Sequence, residues 1–133
     1  MSQDFGMARP PGDGKIMSKI ATIYHNPRCT KSRETLQLLE GKGITPTIIE
    51  YLKEPPSAAE LKRILGLLKM KPRDLMRRHE DVYAQLKLDD PKLTDAALIK
   101  AMIENPILIE RPIVVTNGKA AIGRPPESVL KIL

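Results

Sequence analysis

The sequence predicts an α/β fold built on a mixed four-stranded sheet. Three patterns carry that prediction: a strand-helix-strand run early in the chain, helical periodicity through the middle, and an Asn-Gly pair between two short apolar runs near the C-terminus. The first pattern implies parallel strands, because neighbours running the same way need a crossover helix between them. The third implies an antiparallel hairpin.

Residues 1–17 are rich in Gly and Pro, show no periodicity, and read as a disordered N-terminal extension or an appended tail. One folded domain is expected over 18–133. Within the lead, Gly12-Asp13-Gly14-Lys15 lacks the spacing and the preceding strand of a phosphate loop.

Ile20 to Tyr24 is β-branched and aromatic and reads as the first strand, broken by His25-Asn26-Pro27. A helix follows from Ser32 through Leu39, stopped by Gly41-Lys42-Gly43. Thr45 to Tyr51, with Ile48 and Ile49 central, reads as the second strand. Ser57 and Glu60 form a capping-box pattern, and Leu61, Ile64, Leu65 and Leu68 then mark one helical face. A short helix over Pro72 to Arg78 would turn Leu75 and Met76 inward and leave Arg73, Arg77 and Arg78 on its polar side. Val82 to Leu86 adds a turn, and Thr94-Asp95 opens a helix with Leu98, Ala101 and Met102 on one side, ending at Asn105-Pro106.

Ile113 to Thr116 is the clearest strand; Asn117-Gly118 turns it back along Lys119 to Ile122. Pro125-Pro126-Glu127 opens a closing helix with Val129, Leu130 and Leu133 for the core. This order is that of a thioredoxin-like sheet, a parallel βαβ unit followed by an antiparallel hairpin, with a helical segment inserted between them.

The single cysteine, Cys29, lies in the turn between the first strand and the first helix. Unpaired backbone N–H groups and the positive end of a helix dipole meet there, which favours thiolate over thiol. Arg28, Lys31 and Arg33 flank it and should act in the same direction. The same N–H groups suit a small oxyanion. A lone cysteine is commonly a buried, inert one, but the polar, cationic, turn-forming surroundings argue for function here.

Composition narrows the alternatives. One cysteine excludes an internal disulfide, and a Cys-x-x-Cys pair is absent because Ser32 stands three positions on. No apolar run approaches the ~18 residues of a membrane helix, and no signal-peptide pattern is present, so a reducing, cytoplasmic location is expected. The net charge of +6 is spread along a chain with three Tyr, one Phe and no Trp, a poor stacking platform for nucleic acid. One Cys and two separated His leave a zinc site short of ligands.

Three blocks, His25-Asn-Pro-Arg-Cys29-Thr-Lys-Ser-Arg33, Glu110-Arg-Pro-Ile-Val-Val115 and Gly123-Arg-Pro-Pro-Glu127, closely resemble the glutaredoxin-coupled arsenate reductases of bacteria. The resemblance runs from about Lys19 to Leu133. It implies Cys29 as the catalytic nucleophile and Arg77, Arg111 and Arg124 as the arginines that hold the oxyanion. It implies His25, Asn26, Ser32 and Arg33 as residues supporting the nucleophile. It further implies glutathione as co-substrate, glutaredoxin as partner, and no bound cofactor. Plasmid-borne members carry Ala-Cys-Gly-Thr-Ser around the nucleophile, whereas Arg28-Cys29-Thr30-Lys31-Ser32 looks more like the chromosomal branch.

Chemistry fits that implication. Arsenate is a tetrahedral oxyanion suited to planar guanidinium groups, and a chain with one cysteine must draw its resolving thiols from partners. Ser32 is expected to cap the helix, to hydrogen-bond the thiolate with its hydroxyl, or to do both. Pro112, like the proline before the third strand of thioredoxin-like folds, is expected to be cis. Two other readings stay open: a regulatory protein of the Spx-like type, and a glutathione-dependent thiol enzyme with another substrate.

Overall fold

A computed structural model describes residues 20–133. The expected extension over 1–17 and the domain start at 18 lie outside the described residues.

Four strands, β1 (Ala21–Tyr24), β2 (Thr47–Ile49), β3 (Ile113–Thr116) and β4 (Lys119–Ile122), form one sheet in the order β2-β1-β3-β4. β1 runs parallel to β2 and antiparallel to β3, and β3 pairs antiparallel with β4. This is the thioredoxin-like arrangement the element order predicts. The hairpin turns on Asn117 and Gly118, both at positive φ (54° and 68°), the pairing an Asn-Gly turn favours.

Side chains alternate across the sheet and divide the core in two. Ala21, Ile23 and Val114 face one side, where Leu39 of helix α1 (Thr30–Gly41) and Val129 and Ile132 of a C-terminal 3-10 helix (Pro126–Ile132) cover them. Tyr24 and Ile113 face the other, against α2 (Ala58–Leu68) and α4 (Asp95–Glu104). A short helix, α3 (Asp81–Gln85), and two 3-10 turns (Pro72–Leu75 and Pro106–Leu108) complete the inserted segment.

The helix starts follow their capping residues. Ser57 Oγ accepts from the Glu60 amide at 3.1 Å and Thr94 Oγ1 from the Ala97 amide at 3.1 Å, contacts worth about 1 kcal/mol each. The Glu60 carboxylate does not return to the Ser57 backbone as a full capping box would. It accepts instead from the buried Tyr24 hydroxyl, tying α2 to β1.

Four expectations need correction. The second strand is shorter than Thr45–Tyr51. As the edge strand it pairs only over Thr47–Ile49, leaving Ile48 47% exposed, and Tyr51 is buried in the turn that follows. The helix expected to reach Arg78 ends at Leu75, because Met76 leaves it to bridge Ile109. Arg73 is not on a solvated face: its Nη2 donates to the Leu88 and Asp90 carbonyls at 3.1 and 2.8 Å. The closing helix is 3-10, so its buried residues recur every third position, at Val129 and Ile132, and Leu130 is exposed.

Candidate active site

Topology brings the candidate residues to one end of the sheet. β1 and β2 are parallel, so both end there, at Tyr24 and Ile49. β3 runs the opposite way and begins there, with Ile113 opposite Tyr24, and β4 ends there, with Ile122 opposite Ile113. Cys29 follows β1, Tyr51 follows β2, Arg111 precedes β3 and Arg124 follows β4. The Met76–Ile109 bridge adds Arg77 and Glu110, through Arg77 N–H to the Leu108 carbonyl (2.7 Å) and Glu110 N–H to the Leu75 carbonyl (2.9 Å).

Cys29 is the N-cap of α1, with extended backbone (φ −92°, ψ 124°), and is 8% exposed. Its thiol is held below the ordinary cysteine range. Burial pushes it up, but the Ser32 amide, the Arg111 charge, the Lys31 amide and the Arg124 charge together outweigh burial. The helix N-terminus thus acts as the sequence predicts, but the flanking side-chain cations do not. Lys31 pairs with Glu34 at 3.7 Å, and Arg33 donates to the Pro27 carbonyl at 3.0 Å and to Thr30 Oγ1 at 3.4 Å. Arg28 is exposed, and its amide bonds Asn26 Oδ1 at 3.0 Å. The cations that act on the thiol come from far along the chain.

Arg124 carries the closest contact, Nη2 to Cys29 Sγ at 3.7 Å. Its Nε donates to the Arg111 carbonyl at 2.9 Å. Both arginines precede cis prolines, Pro112 and Pro125; the second cis bond goes unforeseen in the sequence. Gly123 allows the approach. A Cβ there would strike the buried Thr35 hydroxyl and stand 2.8 Å from Pro112 Cγ, so only glycine lets the turn carrying Arg124 lie on α1. Arg111 is 87% buried by side chain (13% exposed), and its Nε has no partner among the described residues. Arg77, Arg111 and Arg124 line an open cleft of about 510 Å³ with Glu110 and His79.

Ser32 neither caps α1 nor reaches the thiol with its hydroxyl. Its Oγ is wholly buried, meets His25 Nδ1 at 2.6 Å, and accepts from the Asn26 amide at 3.0 Å. The network draws His25-Asn26 onto the first turn of α1 and aims the Ser32 amide at Cys29. Burial lowers the pKa of His25 and Arg33 adds to that effect, against Glu50, so the ring is neutral at pH 7.

Glu110, Glu80 and Tyr51 are site residues that sequence reasoning misses. Glu110 lies between the arginines and Glu80 bonds Arg77 at 2.7 Å. Tyr51, 1% exposed, feels Arg111, Arg77 and Cys29 together; burial dominates and raises it to about 12. Glu110 had one signal, an acidic residue directly before the arginine that precedes a buried strand. Tyr51 had none. Among the described residues no group of three His, Cys, Asp or Glu could hold a metal ion, and no helix is long and apolar enough to cross a membrane.

The thioredoxin-like sheet thus presents one cysteine at a helix N-terminus, with Arg124 in contact with its sulfur, the Arg111 charge acting on it, and Arg77 completing the arginine cleft alongside. The model of the ArsC family matches residues 24–132, and the chain belongs to that family. Among curated relatives, the uncharacterized protein YfgD of Escherichia coli (strain K12) is 56% identical over 118 residues, 88% of this chain and 99% of its own. A protein of Haemophilus influenzae (strain ATCC 51907 / DSM 11121 / KW20 / Rd) named arsenate reductase is 53% identical over 112 residues, 84% of this chain and 97% of its own. The solved structure of an arsenate reductase from Vibrio cholerae superposes with a TM-score of 0.85 at 55% identity, covering 87% of this chain and 99% of that one.

Proposed function

We propose that this protein reduces arsenate to arsenite, with Cys29 as nucleophile and glutathione and glutaredoxin as the source of electrons. One observation carries the reading: Arg124 contacts the Cys29 sulfur at 3.7 Å while belonging to a cluster with Arg111 and Arg77. Arg124 links the arginine cleft to the sulfur, so an anion that bonds Arg124 is drawn toward Cys29. The names of the relatives supply arsenate as the oxyanion.

In this mechanism the three guanidinium groups bind arsenate oxygens and spread the negative charge that otherwise repels a thiolate. The Cys29 thiolate attacks arsenic and an As–O bond breaks, releasing hydroxide that is protonated to water. Glutathione then attacks the arseno-cysteine adduct, and glutaredoxin completes the exchange. Two thiols become a disulfide as As(V) takes up two electrons and leaves as arsenite. External thiols are required because Cys29 is the only cysteine in the chain. Such thiols are plentiful in a reducing compartment, which supports a cytoplasmic setting.

The test is arsenate-dependent NADPH consumption with glutathione, glutaredoxin and glutathione reductase, run beside Cys29→Ser. Turnover in the wild type and none in the variant is expected. An inert wild type whose thiol still titrates low would remove arsenate as the substrate and keep the thiol chemistry, for which another oxyanion would then be sought.

A further inference from the structure

Glu110 stands where an oxyanion oxygen would be expected to bind. Its Oε1 accepts from the Arg111 amide at 3.1 Å, meets Arg111 Nη1 and Arg124 Nε at 3.2 Å each, and lies 4.0 Å from Arg77 Nε. One carboxylate oxygen therefore draws on all three arginines of the cluster. Carboxylates and tetrahedral oxyanions use the same guanidinium N–H groups, so the two compete.

The charge balance sharpens this competition. Glu110 and Glu80 pair with all three arginines and offset two of the three cations, so most of the cluster's positive charge is already engaged before a ligand arrives. The cluster also keeps spare donor capacity, since the buried Arg111 Nε has no partner among the described residues. A tetrahedral dianion that takes several N–H bonds at once can displace a carboxylate and use that donor. A small monoanion gains too little.

We propose that Glu110 is an internal counter-anion that competes with the incoming oxyanion for Arg77, Arg111 and Arg124, setting the affinity of the site and favouring multidentate oxyanions. This deepens, and rests on, the reading of the three arginines as the oxyanion site. A purely structural Glu110 would instead hold the arginines in place, and its loss would weaken binding. The two roles predict opposite signs.

The experiment is calorimetric titration of sulfate, a tetrahedral dianion that the thiol does not reduce, into wild type, Glu110→Gln and Glu80→Gln, with arsenate in parallel. Glu110→Gln keeps an acceptor but loses the charge, and should tighten sulfate by about tenfold or more, as freeing an occupied site does. Glu80→Gln removes the same charge from Arg77 alone and should gain less. Glu110→Asp, which withdraws the carboxylate by one methylene, should also tighten binding and serves if Glu110→Gln does not fold. Unchanged or weaker binding in a variant with native melting behaviour would overturn the proposal. Equal gains in Glu110→Gln and Glu80→Gln would overturn it too, by reducing the effect to net charge. Sulfate binding to the wild type without a gain in Glu110→Gln leaves the oxyanion site standing. Absence of any anion binding in every form would remove that site and the proposal together.

Discussion

Arg124 and Cys29 are 95 positions apart in sequence and meet at 3.7 Å, Nη2 to Sγ. The contact depends on the β4 turn lying on α1, and Arg124 anchors that turn through its Nε bond to the Arg111 carbonyl at 2.9 Å. One side chain thus joins Cys29 to the arginine cluster.

The first prediction concerns that contact. The Ser32 and Lys31 amides and the Arg111 and Arg124 charges outweigh burial and lower the Cys29 thiol's pKa. Alkylation by iodoacetamide should therefore be fastest and constant above that lowered midpoint and fall as pH drops through it. Arg124→Ala should move the midpoint up, with Arg124→Lys between the two. A midpoint unmoved by Arg124→Ala would leave the thiol's acidity to the helix N-terminus and Arg111.

Arg111 and Arg77 should dominate anion affinity. A hydrogen bond to a charged group contributes about 1.5–3 kcal/mol, so Arg111→Ala should weaken sulfate binding roughly tenfold or more. Arg77→Ala should act in the same direction. Calorimetry on folded variants, checked by circular dichroism, measures both. Wild-type affinity in either variant would take that arginine out of the site.

Gly123→Ala tests how the turn is positioned. The added methyl meets Thr35 and Pro112 in a closely packed place. It should cost about 1–3 kcal/mol of stability and, by moving Arg124, raise the Cys29 midpoint. Denaturant melts together with thiol titration give both readouts. A variant as stable as wild type with an unshifted thiol would show that the turn yields freely.

His25 gives a pH dependence whose sign follows from its lowered pKa. The unfolded chain binds the proton from about pH 6.5 downward while the folded chain resists it, so stability is full above 6.5 and falls as pH drops toward the folded value. His25→Gln should flatten that slope between about pH 6.5 and 5. Denaturation midpoints across that range decide it, and an unchanged slope in the variant would assign the effect elsewhere.

Much of this protein is legible in sequence because the signals are local. Asn117-Gly118 specifies its hairpin through two positive φ angles, and Ser57 and Thr94 start their helices with one hydroxyl each. Cys29 declares itself by standing between a strand and a helix, where the first amides of α1 are free to bond sulfur. Periodicity assigns Leu61, Ile64 and Leu65 to the core because a helix repeats within one turn. It misassigns Leu130, because the closing segment winds at three residues per turn and buries Ile132 instead.

Only the tertiary structure decided which charges act at the site. Arg28, Lys31 and Arg33 are near Cys29 in sequence, but Arg28 is exposed and the Lys31 and Arg33 side chains are turned to Glu34 and Pro27. Arg111 and Arg124 are distant in sequence, and the antiparallel pairing of β3 brings them to the end of β1. Arg77 depends on the Met76–Ile109 bridge, and Glu110 reaches the arginines by the same bridge. Turn and helix preferences act over a few residues and can be read along the chain. Coulomb interactions and hydrogen bonds act through space, so their partners are settled only when the sheet closes.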